Sequence, residues 1–328
     1  MADKNRILIT GGAGFIGSHL SELLLAKGKK VTVIDDLSTG SKDNMVHLLE
    51  NDNFTFVEGT ILDEITMKKL IENADEIYHL AAAVGVKYVL DNPIKSIHIN
   101  SRGTEIILEL ASIDKKKVLI ASSSEVYGKN PSSVFPETAD SILGATKISR
   151  WSYACAKALD EFLSFAYHQE KGMPVIVVRF FNTVGPRQSD RYGMVIPRFI
   201  SQSLHNLPLT VYGDGQQTRS FTYVGDVVEG VVALMSHPDA IGNVFNIGNP
   251  HGITIESLAQ KIKEKTNSNS EIVRIPYNQA YGEGFEDMRH RVPDITKIHS
   301  LVNFTPKVSL DEILERTIEF VEGKEKNV

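Results

Sequence analysis

Short apolar runs alternate with amphipathic stretches along the first half of the chain. Residues 7–9, 31–34, 54–57, 76–78, 118–121 and 175–178 read as six strands. Between the first two, Phe15, Ile16, Leu20, Leu23 and Leu24 recur close to helical spacing. That spacing predicts a helix over 15–27, with Gly28 placed to end it in the left-handed conformation. Further helices are predicted over 92–110 and 153–170. Strands alternating with helices predict an α/β fold, a Rossmann-type doubly wound parallel sheet with helices on both faces.

After Asn182 the pattern loosens. Stretches rich in Gly, Pro and polar residues, at 185–193 and 212–218, separate shorter elements. They predict a smaller C-terminal α/β domain, packed over the C-terminal edge of the sheet, which the resemblance given below implies is the substrate-binding one. A helix over 227–235 and a strand at 244–247 are expected to return to the first domain. The expected division is 1–181 plus about 220–248 for the first domain, and 182–219 plus 249–328 for the second. The charged tail after Glu322 is expected to fray.

Composition narrows the function class. The chain has 328 residues, 42% hydrophobic and 23% charged, which excludes a disordered or collagen-like protein. Lys and Arg number 35 against 41 Asp and Glu, a net charge of −6, which argues against broad nucleic-acid binding. The single cysteine, Cys155, excludes an intrachain disulfide and a cysteine-based metal cluster. The ten histidines form no His-Glu-x-x-His pattern, so no catalytic metal is expected. The apolar runs are too short for a bilayer and no secretory apolar region opens the chain, so the expectation is a soluble, cytoplasmic protein.

Gly11-Gly-Ala-Gly14-Phe-Ile-Gly17 follows a strand and opens a helix. Glycines at 11, 14 and 17 leave room for a tight turn, for a pyrophosphate and for close helix–strand packing. The helix N-terminus offers N–H groups and partial positive charge to phosphates. Asp35 ends the next strand, eighteen positions after Gly17, and is placed to accept hydrogen bonds from an adenosine ribose. No Arg follows to welcome a 2′-phosphate and Asp36 would repel one, so NAD is expected over NADP.

Tyr153 and Lys157 stand four apart on a predicted helix and face one side. A nearby ammonium and a cationic nicotinamide ring would both favour the phenolate, lowering its pKa from about 10 towards use as a base. Ser122-Ser-Ser-Glu125 closes the fifth strand, at the end where doubly wound sheets bind ligands.

With Thr10-Gly-Gly-Ala-Gly-Phe-Ile-Gly17, Ser122-Ser-Ser-Glu-Val-Tyr-Gly128 and Tyr153-x-x-x-Lys157 together, the chain resembles the extended short-chain dehydrogenase/reductases that act on nucleotide sugars. The resemblance extends to Asn182 before Gly185-Pro-Arg187, to Arg219, to Phe245-Asn-Ile-Gly248 and to Arg291-Val-Pro-Asp294. It implies that Tyr153 takes the proton of the sugar 4-hydroxyl, that Lys157 holds the nicotinamide ribose and that Ser123 bonds the 4-oxygen, with Ser124 and Glu125 beside them. The implied cofactor contacts are Gly11, Gly14, Phe15, Ile16, Gly17, Asp35, Asp36, Ile61, Leu80, Ala81, Ala82 and Asn100, the last supporting the active-site helix. The implied substrate contacts are Val86, Lys87, Asn182, Arg191, Val195, Arg198, Tyr212, Arg219, Arg291 and Asp294. Two departures stand out. Thr60 replaces the family's usual adenine-reading Asp, and Ser124-Glu125 replaces the Asp–Glu pair of the hexose 4,6-dehydratases.

The family's reactions share a 4-keto intermediate and then diverge. Elimination of water needs an acid and a base, and Ser124-Glu125 supplies one carboxyl group. Residues 281–291 with Ser124-Glu125 resemble UDP-glucuronate decarboxylases. Residues 149–153, 185–193 and 289–293 resemble UDP-sugar 4-epimerases, where Arg191 would pair with a C6 carboxylate. The sequence reading is a UDP-glucose or UDP-glucuronate 4-epimerase, with the decarboxylase as first alternative, a dehydratase after it, and a non-catalytic NAD sensor as the reading from another class. The helices over 92–110 and 153–170 show apolar faces beyond what one sheet needs, and the resemblance implies that they pair with those of a second subunit in a homodimer.

Overall fold

The computed structural model describes residues 5–190, 194–282 and 285–325. The first half runs β1 (Arg6–Thr10), α1 (Phe15–Ala26), β2 (Lys30–Asp35), β3 (Phe54–Glu58), α2 (Glu64–Glu72), β4 (Glu76–His79), α3 (Val86–Asp91), α4 (Pro93–Ile113), β5 (Lys117–Ser123), α5 (Ser152–Lys171) and β6 (Val175–Phe180). It continues through β7 (Thr183–Val184), α6 (Val195–Leu204), β8 (Leu209–Tyr212), β9 (Thr218–Ser220), β10 (Thr222–Tyr223), α7 (Val224–Ser236) and β11 (Asn243–Ile247). The last part holds β12 (Gly252–Thr254), α8 (Ile255–Lys265), β13 (Ile272–Ile275), α9 (Tyr277–Tyr281), α10 (Thr296–Val302) and α11 (Leu310–Glu325).

Seven strands form one sheet in the order β11-β6-β5-β4-β1-β2-β3, with every pairing parallel. The strands are nearly continuous apolar runs because both faces are covered. One face packs against α1, α7 and α10 through Leu20, Leu24, Val227, Val231 and Ile298. The other packs against α2 and α4 through Met67, Ile71, Ile106 and Ile107. Gly28, at φ +74°, stops α1 as expected, and Gly172, at φ +63°, stops α5. Asp63 caps α2 by accepting from the N–H groups of Ile65 and Thr66.

A separate apolar cluster gathers Phe199 and Ile200 of α6, Leu209 and Val211 of β8, Leu258 and Ile262 of α8, and Ile313 and Leu314 of α11. Three two-stranded pairings, β7 with β10, β9 with β12 and β8 with β13, complete this region. In the main sheet the strand order reverses between β1 and β4, so the loops after these strands part and leave a crevice.

Candidate active site

That crevice is a cleft of about 460 Å³, lined from the glycine loop through the ends of β4 and β5 to α6, α9 and Arg291. Gly11 has φ +73°, and a Cβ there would stand 2.7 Å from the Ala81 nitrogen. A Cβ at Gly17 would collide with the Gly11 carbonyl oxygen and press the Gly12 Cα. Gly14 begins α1 with no side-chain cap, and Phe15, Ile16 and Gly17 of the first turn line the cleft. Asp35 accepts from the N–H groups of Ala13 at 3.0 Å and Leu37 at 2.8 Å. Burial pushes its carboxyl up, and those two N–H groups pull it back. Asp36, Ile61, Leu80, Ala81 and Ala82 line the same end of the cleft. A phosphate-sized approach at the helix start and a carboxylate at the end of β2 fit a dinucleotide. Thr60 lines the cleft too, and its hydroxyl accepts from the Leu62 N–H at 3.3 Å.

Asn100 stands behind this surface. Its side chain is buried and holds Ala83, accepting from the N–H at 2.7 Å and donating to the carbonyl at 3.1 Å. It shapes the loop after β4 from outside the lining.

The catalytic candidates meet at the ends of β5 and α5. Ser123, Glu125, Tyr153 and Lys157 all line the cleft. The Ser123 hydroxyl stands near the Tyr153 phenol and accepts from the Glu125 N–H at 3.2 Å. The sequence predicts a lowered Tyr153 pKa, and in the protein alone the balance falls the other way. Burial raises it and Glu125 adds to the rise, while Lys157, Ser123 and Arg291 pull it down without winning. Ser124 is buried, and its hydroxyl accepts from Arg291 Nε at 2.8 Å.

Around Glu125 the chain builds a charged cluster. Arg150 Nη1 lies 2.5 Å and Arg291 Nη1 2.7 Å from the Glu125 carboxylate. Asp287 bridges Arg150 at 3.3 Å and Arg219 at 2.9 Å. Burial alone would raise the Glu125 carboxyl, but Arg150, Arg291 and Arg219 override it and hold the pKa at about 2. Arg291 is pushed down by burial and by Arg219 and Arg150, against the pull of Glu125 and Asp287.

Of the remaining expected substrate residues, Val86, Asn182, Val195, Arg198, Tyr212 and Arg219 line the cleft. The Arg198 guanidinium stacks 4.1 Å over the Tyr212 ring. Two are placed elsewhere. Lys87 points outward and pairs with Asp91 at 2.8 Å, one helical turn away. Asp294 is outside the lining, and its carboxylate accepts from the Thr296 N–H at the start of α10. Arg191 lies outside the described residues. Sequence reasoning missed Arg150, Asp287, Tyr277 and Phe285, all in the lining. Arg150 sits three positions before Tyr153, a spacing that carried a signal. Asp287 is brought in from 137 residues beyond Arg150. Among the described residues no group of three His, Cys, Asp or Glu is placed to hold a metal, and no helix is long and apolar enough to cross a membrane.

Comparisons with known proteins bear on the chemistry. The profile of the GDP-mannose 4,6-dehydratase family matches residues 8–317. A UDP-N-acetyl-alpha-D-glucosaminuronate decarboxylase of Bacillus cytotoxicus is 44% identical over 318 residues, covering 97% of this chain and 98% of that one. UDP-glucuronic acid decarboxylase 1 of Arabidopsis thaliana is 40% identical over 313 residues, covering 95% of this chain and 69% of its own. The solved UDP-glucuronic acid 4-epimerase of Bacillus cereus, in complex with UDP-glucuronic acid and NAD, superposes with a TM-score of 0.88 at 31% identity, over 97% of this chain and 99% of that one. The glycine cradle, the Tyr153–Lys157 pair and these matches over nearly the whole length lead to one conclusion: the chain belongs to the GDP-mannose 4,6-dehydratase family, the NAD-dependent nucleotide-sugar epimerases, dehydratases and decarboxylases of the short-chain dehydrogenase/reductase fold.

Proposed function

We propose that the chain is a UDP-hexuronate decarboxylase, acting on a substrate with a hydroxyl or acetamido group at C2. The observation that carries this reading is the 44% identity to a UDP-hexuronate decarboxylase along the full length of both chains, against 31% for the epimerase structure. It reverses the order of the sequence reading, which puts the 4-epimerase first and the decarboxylase second.

The arrangement of side chains suits that chemistry. NAD, when bound, would supply the oxidation at C4 by taking the hydride and would return it to C4 once the carboxylate has left, so that the cycle is redox-neutral. Tyr153 receives the proton of the 4-hydroxyl, and Ser123 holds the same oxygen. A 4-ketone makes the C6 carboxylate that of a β-keto acid. As the C5–C6 bond breaks, carbon dioxide leaves and the electron pair passes through C5 to the 4-oxygen as an enolate. The hydroxyls of Tyr153 and Ser123 are the donors for that oxyanion. Arg291, whose guanidinium lines the cleft beside Glu125 and Ser124, is assigned the holding of the water that delivers a proton to C5; Tyr153 then gives its proton back to the 4-oxygen as the hydride returns to C4, leaving a UDP-pentose. Glu125, locked as a carboxylate between two arginines, is unsuited to donate the proton that water elimination needs. Arg198, Arg219 and Tyr212 are assigned to the nucleoside diphosphate. We also infer a homodimer through α4 and α5.

The test is product analysis by NMR with UDP-glucuronate and UDP-N-acetylglucosaminuronate, together with carbon dioxide capture. One carbon dioxide per UDP-pentose formed is the expected result. UDP-galacturonate without gas release would restore the epimerase, and NAD binding with no turnover of any UDP-sugar would favour the sensor.

A further inference from the structure

Beneath the cleft lies a carboxylate that the scheme above does not use. Asp160 follows Lys157 by three residues on α5, and its Oδ2 stands 3.0 Å from Lys157 Nζ. Asp160 is 0% and Lys157 2% exposed. Each Lys157 neighbour can be weighed as a counter-ion. On α5 itself stand Tyr153, Asp160 and Glu161. Glu161 is already held by Arg179 of β6, at 2.9 and 2.7 Å. From β4 comes His79, its ring nitrogens 2.7 Å from Thr10 Oγ1 and 3.1 Å from Thr104 Oγ1. Burial and the Lys157 charge hold His79 at about 3, so it stays neutral. From α4 comes Thr104, a neutral hydroxyl that donates to the Asn100 carbonyl oxygen at 3.0 Å. At the end of β5, Glu125 faces Tyr153 but is engaged by Arg150 and Arg291. Asp160 is the one anion left over for Lys157 among the described residues.

We propose that Asp160 is a positioning residue, the built-in counter-ion that keeps Lys157 protonated inside the protein and so sets the upper pH limit of the Tyr153–Lys157 pair. An isolated buried ammonium is costly and sheds its proton instead. Burial does pull Lys157 down, and the Asp160 carboxylate, with Tyr153 and Glu161, overrides it to leave the group raised. Burial leaves the Asp160 carboxyl above its usual value, although Lys157 draws it back down. The pair is close in geometry and shielded from water and salt, so its coupling is not the weak kind seen between exposed charges. The proposal rests on Tyr153 and Lys157 as the acid–base pair, and holds for any reaction that begins by oxidation at C4.

The test compares wild type with Asp160→Asn, which keeps the shape and removes the charge. The dissociation constant of NADH is followed by its fluorescence from pH 6 to 10, beside the pH profile of kcat/KM. In Asp160→Asn, NADH binding should weaken at least fivefold towards high pH, with a midpoint at least one pH unit below that of wild type. The alkaline limb of kcat/KM should move down with it, and Asp160→Glu should restore much of the shift. A uniform loss of affinity with an unmoved midpoint would mark a merely structural role and overturn the proposal. If Asp160→Asn fails to fold, the Lys157→Met/Asp160→Asn double variant, which leaves no unpaired buried charge, should fold better. A double variant as unstable as the single would also overturn it. A wild type that shows the expected NADH titration but turns over no UDP-sugar would fail the functional reading and leave this one standing.

Discussion

Tyr153 shows what a motif states and what it leaves to its surroundings. The spacing of Tyr153 and Lys157 was legible, as was Ser123 at a strand end, because all three lie in short local patterns. The sign of the Tyr153 shift was not legible, since burial and Glu125 act from outside the motif. The Glu125 cluster was hidden for the same reason: its arginines come from positions 150 and 291. Glu125→Gln should leave two buried guanidinium groups without their shared charge and cost about 3–5 kcal/mol at pH 7. The sign with pH follows from the pKa. A carboxyl held at about 2 when folded, against an unfolded value of about 4.3, contributes stability that is full above the unfolded value and fades as pH falls towards 2. The gap in denaturation midpoint between wild type and Glu125→Gln should therefore narrow from pH 7 to pH 3. A gap that stays constant over that range would show that Glu125 is not held ionised by its arginines.

At the scale of elements, the strands were legible because parallel strands buried on both faces are written as short apolar runs. The helix over 15–27 and its stop at Gly28 were legible through periodicity. What periodicity cannot show is which glycine is needed for backbone freedom and which for space. Gly28 has φ +74° and nothing within 4 Å of a built Cβ, whereas Gly17 meets the Gly11 carbonyl oxygen and the Gly12 Cα. Gly28→Ala should cost about 1–2 kcal/mol from its left-handed backbone and leave NAD affinity unchanged. Gly17→Ala should cost about 1–3 kcal/mol from overpacking and weaken NAD binding as well, because the loop that must shift is the one lining the cleft. Thermal melts with calorimetric NAD titration separate the two, and equal NAD affinities in both variants would remove the loop from the cofactor site. Lys87 and Asp294 fail as cleft residues at this scale too, since helix rotation and a helix start decide where they point.

At the scale of the whole molecule, α4 and α5 lie side by side and carry apolar groups that the sheet does not cover. Ile94 is 85% and Phe162 75% exposed, with Ile97, Ile113 and Leu159 also exposed on the same two helices. Single exposed apolar residues are ordinary, but several on two adjacent helices mark a surface that loses free energy while it faces water. Covering a Phe and several Ile or Leu side chains on both copies would take that apolar area out of water, the gain that opposes the cost of association. A second copy of the chain is the partner we infer, since two such helix pairs can pack face to face as a four-helix bundle. Light scattering of the wild type should then give twice the 36.3 kDa chain mass. Phe162→Asp would place a charge against apolar partners in that bundle and should yield a folded species of single-chain mass, with NAD still bound because Phe162 is exposed on α5 while Lys157 of the same helix is buried, and the glycine loop and Asp35 lie outside both helices. A wild type of single-chain mass at micromolar concentration would refute the dimer, and a Phe162→Asp protein that stayed dimeric would move the interface away from α5.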